Sequence, residues 1–264
     1  MNQEKARAYL KRIGFEEPVE KDEKTLDRLL RAHLEQVPFE NLDVIHLGKV
    51  PSLEEEELYD KIVGRNRGGY CFELNTLLLA LLETLGFSVY PVAVRVRWNK
   101  SVVPPISHMA LVAEIANRKY LCDVGYGGPG PKGLLCLEES VQRIAGEEFR
   151  VSRMEEELLV EGVHQGVWKA VLQFHDRPFC LRDFQVLNFY CAVNPAVIFT
   201  QKRIVNICTP SGSKALTDME LTVRDGDLVT RKQLLNEEEL TACLKDDFGI
   251  RDVRLGSRGK EQQE

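Results

Sequence analysis

Three side chains in this sequence have the types needed for thiol acyl chemistry: Cys71, His108 and Asp123. A cysteine attacks as its thiolate, so it needs a base to take the proton and a further group to orient that base. Cys71 stands in the run Arg67-Gly68-Gly69-Tyr70-Cys71-Phe72-Glu73-Leu74-Asn75, where two glycines let the backbone turn sharply. Leu74, Leu77, Leu78, Leu81, Leu82 and Leu85 then recur at helical spacing and stop at Gly86. This predicts a buried helix from Tyr70 to Leu85 with Cys71 in its first turn. The free N–H groups and the positive dipole end there favour a thiolate. A cysteine at a helix start can equally be a small core residue; the company of a histidine and a carboxylate argues for chemistry.

Strand parity relates His108 to Asp123. Residues 107–115 and 119–124 alternate in polarity and are separated by a short polar turn, the pattern of a hairpin. With a two-residue turn, an even-numbered residue on one strand shares a face with odd-numbered ones on the other, so His108 and Asp123 project from the same side. A turn at Ala116-Asn117 sets Asp123 opposite Ala110, diagonal to His108 at about 7–8 Å between backbones, within side-chain reach. A turn at Asn117-Arg118 would set it opposite Val112, too far. Cys122 points to the other face and cannot share an ion with Asp123. With no CxxC or HxxxH spacing either, no metal site is expected.

Two supporting relationships follow from the same reasoning. Asn75 lies one helical turn after Cys71, on its face, where the amide could hold Asp123 or the His108 ring. Arg67 and Glu40 are expected to pair, since each would otherwise bury an uncompensated charge.

The elements that must position these groups fall into an α+β order. Ala6, Tyr9, Leu10 and Ile13 mark one amphipathic helix, and Leu26, Leu29, Leu30 and Leu34 a second before Pro38. A third is predicted from a Ser52/Glu55 capping box through Leu58 and Ile62 to Gly64. Residues 1–86 thus read as a helical bundle carrying Cys71. Residues 87–192 read as a β-barrel-like or sandwich domain carrying His108 and Asp123, with strands at 87–96, 107–115, 119–124, 149–154, 158–163 and 167–174 and a closing helix at 181–192. Residues 193–255 read as strands at 198–208, 214–217, 220–224 and 228–230 followed by a helix that Asn236 caps and that runs to Phe248. The polar stretch 256–264 is expected to be disordered.

The chain has 264 residues, 35 basic against 41 acidic, for a formal charge of −6, and its basic residues are scattered among acidic ones, which argues against a nucleic-acid partner. Its most apolar run, 74–85, is shorter than the roughly 20 residues of a membrane span. The N-terminal segment has no signal-peptide pattern, and seven cysteines are an odd number for a disulfide framework. Reduced thiols and a cytoplasmic location are therefore expected.

Four motifs occur in order: Val37-Pro38-Phe39-Glu40-Asn41-Leu42, Arg67-Gly68-Gly69-Tyr70-Cys71 with Asn75, a Ser-His strand at His108, and Asp123-Val124-Gly125-Tyr126-Gly127. In these the chain resembles the arylamine N-acetyltransferases. The resemblance implies a helical bundle, a β-barrel-like domain and an α/β lid, with a cysteine-protease-like Cys-His-Asp site. It implies acetyl-coenzyme A as donor, an aromatic amine or hydrazine as acceptor, and a ping-pong cycle through acetyl-Cys71 with His108 and Asp123 completing a triad. It further implies that Phe39, Val96, Tyr126 and Phe199 line the acceptor pocket; as residues alone they read equally as core. Tyr126 departs from the phenylalanine usual after Asp-x-Gly. Two rival readings are a Cys-His-Asp thiol hydrolase or amidase, and a catalytically silent module that binds coenzyme A or a partner.

Overall fold

In the computed structural model, which describes residues 1–138 and 140–252, the N-terminal helices are set by side-chain caps and apolar faces. Helix α1 (Gln3–Arg12) starts where Asn2 accepts the Lys5 N–H, and α2 (Glu23–Gln36) where Asp22 accepts the Thr25 N–H. Their inward faces, Ala6 and Tyr9 on one and Leu26, Leu29 and Leu30 on the other, pack in one core with the leucines of the Cys71 helix. The stretch 256–264, expected to be disordered, lies outside the described residues.

Between α2 and that helix the chain forms a two-residue strand, β1 (Phe39–Glu40), and a short α3 (Leu42–Leu47) that ends at Gly48 in the left-handed conformation. Helix α4 (Glu55–Tyr59) continues into a π-helical turn at Asp60–Gly64. The expected Ser52/Glu55 capping box does not form. Ser52 Oγ accepts the Glu54 N–H at 3.2 Å, a local turn outside the helix, and the helix starts at Glu55. Helix α5 (Cys71–Thr84) is buried along most of its length.

The central strands are β2 (Ser88–Val96), β3 (His108–Ile115), β4 (Arg118–Cys122), β5 (Leu135–Cys136), β6 (Val141–Ile144), β7 (Glu147–Met154), β8 (Glu157–His164) and β9 (Val167–His175). They pair antiparallel in the order β5-β4-β3-β2-β9-β8-β7-β6 and curl into a nearly closed, barrel-like sheet. Two short strands, β5 and β6, were not expected from the sequence. On β3 the alternation divides two cores: Ala110 and Val112 face the barrel interior, while Met109, Leu111 and Ala113 face the helices. The β3–β4 turn is Ala116-Asn117, with φ of 50° and 64°, and Ile115 pairs with Arg118. These positive φ values match the right-handed twist of the two strands.

A short 3₁₀ turn at Leu181–Asp183 and α6 (Phe184–Val193) lead to α7 (Ile198–Gln201). The strand expected from Ile198 starts instead at Ile204. Asn194 Oδ1 accepts the Ala196 N–H at 2.9 Å and Thr200 Oγ1 donates to Asn194 O at 3.0 Å, which coils 194–201 before extension begins. Strands β10 (Ile204–Thr209), β11 (Gly212–Thr217), β12 (Glu220–Asp225) and β13 (Leu228–Gln233) form a second sheet, in the order β1-β10-β11-β12-β13. Helix α8 (Glu237–Phe248), capped by Asn236, buries Leu240, Leu244 and Phe248 in the core with Val205 and Leu216 of that sheet. The architecture is α+β: N-terminal helices, a barrel-like antiparallel sheet and a C-terminal α/β region.

Candidate active site

Cys71 is the first residue of α5 and is 2 % exposed. The turn that delivers it is pressed against β1: Glu40 N–H donates to Gly69 O at 2.8 Å, and a Cβ on Gly68 would lie 1.9 Å from Pro38 O. Only glycine fits there. Burial pushes the Cys71 thiol up, and the neighbouring Cys191 adds to this, while the Met109 and Phe72 N–H groups pull it down.

His108 opens β3 and is buried, with its Nε2 2.6 Å from Asp123 Oδ2. The other carboxylate oxygen accepts the Asn75 amide at 3.0 Å and the Gly125 N–H at 2.9 Å. Burial raises the Asp123 carboxyl, but His108, Asn75 and Gly125 outweigh it and hold it below the usual carboxylate range. Asn75 also donates to Met109 O at 2.7 Å and accepts the Val124 N–H at 3.2 Å, so one amide from the Cys71 helix ties the residues next to both His108 and Asp123. Gly125 closes the arrangement. A Cβ there would come within 2.6 Å of both Cys71 Cα and Asn75 Nδ2.

A model of the N-acetyltransferase family matches residues 22–254. The arylamine N-acetyltransferase of Mycobacterium tuberculosis (strain ATCC 25618 / H37Rv) is 30% identical over 258 residues, covering 96% of this chain and 91% of that protein. The chain belongs to the arylamine N-acetyltransferase family. Human arylamine N-acetyltransferase 1 is 31% identical over 273 residues, with 92% and 93% covered. Among solved structures, the family member from Salmonella typhimurium superposes with a TM-score of 0.91 at 27% identity, covering 97% of this chain and 96% of that one. The Mycobacterium marinum arylamine N-acetyltransferase in complex with CoA gives 0.89 at 29% identity, with 96% of each chain covered.

Within this arylamine N-acetyltransferase fold the four residues expected to line an acceptor pocket fall into two linked groups. The Tyr126 ring lies 5.6 Å from the His108 ring and fits between Gly128 and Gly130, where an added Cβ would reach 2.5 Å from it. Val94 faces His108 across β2 and β3, and Val96 is two residues further along that face. Phe39 and Phe199 form the second group, ring to ring at 5.9 Å, with Phe199 also 5.7 Å from Tyr70, the residue before Cys71. Gly127 joins the groups, since a Cβ there would stand 3.2 Å from the Phe39 ring.

Behind the Cys71 turn lies a buried charge cluster. Arg67 donates twice to Glu40 Oε1, at 2.8 and 2.6 Å, and to Asp43 Oδ1 at 2.9 Å. Lys61 reaches Asp43 Oδ2 at 2.7 Å and Glu73 Oε1 at 2.8 Å. Sequence reasoning found Arg67 and Glu40 but not Asp43, Lys61 or Glu73. The Lys61 signal was hidden by the π turn, which breaks the helical period and turns Lys61 and Ile62 inward together. Among the described residues no group of His, Cys, Asp and Glu side chains is arranged to hold a metal ion, and no helix is long and apolar enough to cross a membrane.

Proposed function

We propose that this chain is a cytoplasmic acetyl-coenzyme A-dependent arylamine N-acetyltransferase that works by a ping-pong cycle through Cys71. Family membership supports the reaction, and the carboxylate clamp on His108 supports the assignment of roles. A carboxylate only accepts hydrogen bonds, so Asp123 keeps the neutral imidazole proton on Nε2 and leaves Nδ1 as the basic nitrogen.

In the first half-reaction Cys71 Sγ attacks the thioester carbonyl of acetyl-coenzyme A. Its proton passes to His108, the bond from the carbonyl carbon to the coenzyme A sulfur breaks, and His108 returns the proton to that sulfur. In the second, an arylamine nitrogen attacks the acetyl-Cys71 carbonyl and loses its proton to His108. The Cys71 sulfur leaves and takes the proton back. Exchange of one thioester for another costs little bond energy. Backbone N–H groups in the first turn of α5 serve as donors for the developing oxyanion. Phe39, Val96, Tyr126 and Phe199 hold a flat acceptor, Tyr126 by ring packing beside His108. Asn75, Arg67 and Glu40 support the site from outside the reacting atoms.

Initial rates at several fixed acetyl-coenzyme A concentrations test the cycle: parallel double-reciprocal lines against aniline are expected. Mass spectrometry should show one acetyl group on Cys71, and none on a Cys71→Ser protein. Intersecting lines would overturn the ping-pong cycle. Acetate release without acetanilide would point to a hydrolase, and no acylation at all to a binding module.

A further inference from the structure

The first turn of α5 is held from two sides. Cys71 and Asn75, four residues apart, share a helix face, and that face meets Met109, Val124 and Gly125. Glu73 lies two residues after Cys71, roughly 200° around the helix, and so faces the other way. Its Oε2 accepts the Tyr70 N–H at 3.1 Å and its Oε1 the Lys61 ammonium at 2.8 Å. The fit is close, because a Cβ on Gly69 would stand 2.8 Å from Glu73 Cβ. Both partners are buried, Glu73 2 % and Lys61 6 % exposed. Lys61 is brought inward by the π turn, an irregularity that recurs at functional sites.

We propose that Glu73, anchored by Lys61, is a positioning residue for Cys71, its carboxylate fixing the Gly69–Tyr70–Cys71 backbone from the side opposite to Asn75. The proposal rests on the reading of Cys71 as nucleophile. Tyr70 N–H, at the N-cap of α5, would otherwise be unpaired. With it fixed, the Gly69–Tyr70 peptide, one residue before Cys71, has one orientation, and the thiol is delivered to the Met109 N–H and the His108 side of β3. The groups that face Glu73 are Lys61 on the π turn and, beyond it, Glu40 on β1, Asp43 on α3 and Arg67 before Gly68. Burial pushes the Glu73 carboxyl up to about 7, with Lys61 opposing and Glu40 and Asp43 adding. Its charge therefore changes in the neutral range, and with it the strength of the Lys61 anchor.

The test compares wild type with Glu73→Asp and Glu73→Gln by the rate at which iodoacetamide alkylates Cys71 across the neutral range, alongside thermal unfolding. Glu73→Asp keeps the charge but withdraws it from the Tyr70 N–H, and alkylation should slow by about tenfold to a hundredfold, the scale on which misplacing a reacting group acts. Glu73→Gln keeps the reach and loses the titration. Its rate should stay nearer that of wild type, while the inflection near neutral pH disappears. Wild-type rates and pH profile in both variants would overturn the proposal. Should Glu73→Asp fail to fold, Lys61→Met, which removes the anchor and leaves the carboxylate within reach of Tyr70 N–H, takes its place, and a wild-type alkylation rate in that variant overturns the proposal. Alkylation needs no acyl donor, so the outcome stands apart from whether acetyl-coenzyme A acylates wild-type Cys71, which tests the functional reading.

Discussion

His108 Nε2 and Asp123 Oδ2 lie 2.6 Å apart, and nothing in that contact is exposed enough for water to replace it: the two side chains are 3% and 4% exposed. Asp123→Asn should therefore leave the fold in place and remove the group that sets the imidazole tautomer. Acetylation should fall by about a thousandfold or more, as expected when a triad orienter is neutralised. The variant should also change the acid limb of stability. The folded Asp123 carboxyl is held below its unfolded value, so its contribution is fully present above about pH 4 and is lost as pH falls through the lower folded value. Urea unfolding across that window should show a gap between wild type and Asp123→Asn that closes on acidification. A constant gap would mean that the carboxylate is not linked to folding.

Arg67 and Glu40 form the tightest part of the charge cluster, and Glu40 Oε2 also accepts the Leu42 N–H at 2.7 Å, so Glu40 holds the start of α3 as well. Glu40→Gln leaves a buried guanidinium short of a partner. About 3–5 kcal/mol of stability should be lost, the usual cost of breaking one side of a buried pair. A denaturant midpoint equal to that of wild type would show that Asp43 and the Asp252 carbonyl satisfy Arg67 without Glu40.

Gly125→Ala tests the close approach of the backbone to Cys71 and Asn75. The new methyl would meet Cys71 Cα and the Asn75 amide, both held by their own contacts, so neither can yield cheaply. Overpacking of this kind costs about 1–3 kcal/mol. The larger effect should be on the first half-reaction, slowed by about a hundredfold because the nucleophile is displaced. Stopped-flow release of coenzyme A, with thermal unfolding on the same sample, measures both.

How far these contacts could be read without coordinates depends on their range. The pairing of His108 with Asp123 was legible because a hairpin turn of known length fixes parity, and Ala116-Asn117 proved to be that turn. The Cys71 helix was legible because its leucines repeat at one period up to Gly86. Strand β1 was not, since two residues carry no alternation and their partners, Val205 and Asn206, arrive from the far end of the chain. Lys61 was missed because a π turn shifts the period by one residue. Ser52 carried a capping signal that its own local turn consumed. At α7 the β-branched run hid a coil imposed by Asn194 and Thr200.

The state of Cys71 separates the two forces on it. Burial pushes the thiol up, which alone would leave it protonated and slow at neutral pH. In the proposed cycle a proton passed to His108 would keep the pair neutral as a whole, and Asp123 would stabilise the resulting imidazolium, so that ionisation as a pair costs less than ionisation of the thiol alone. Wild-type Cys71 should therefore be alkylated at neutral pH faster than a free thiol. In His108→Ala burial, Cys191 and Asp123 push the thiol up against the two N–H groups alone. Its alkylation should become slow and rise only above about pH 8.5, the ordinary thiol range or higher. A wild-type profile in His108→Ala would assign the reactivity to the helix start and its N–H donors, and would remove His108 from the first proton transfer.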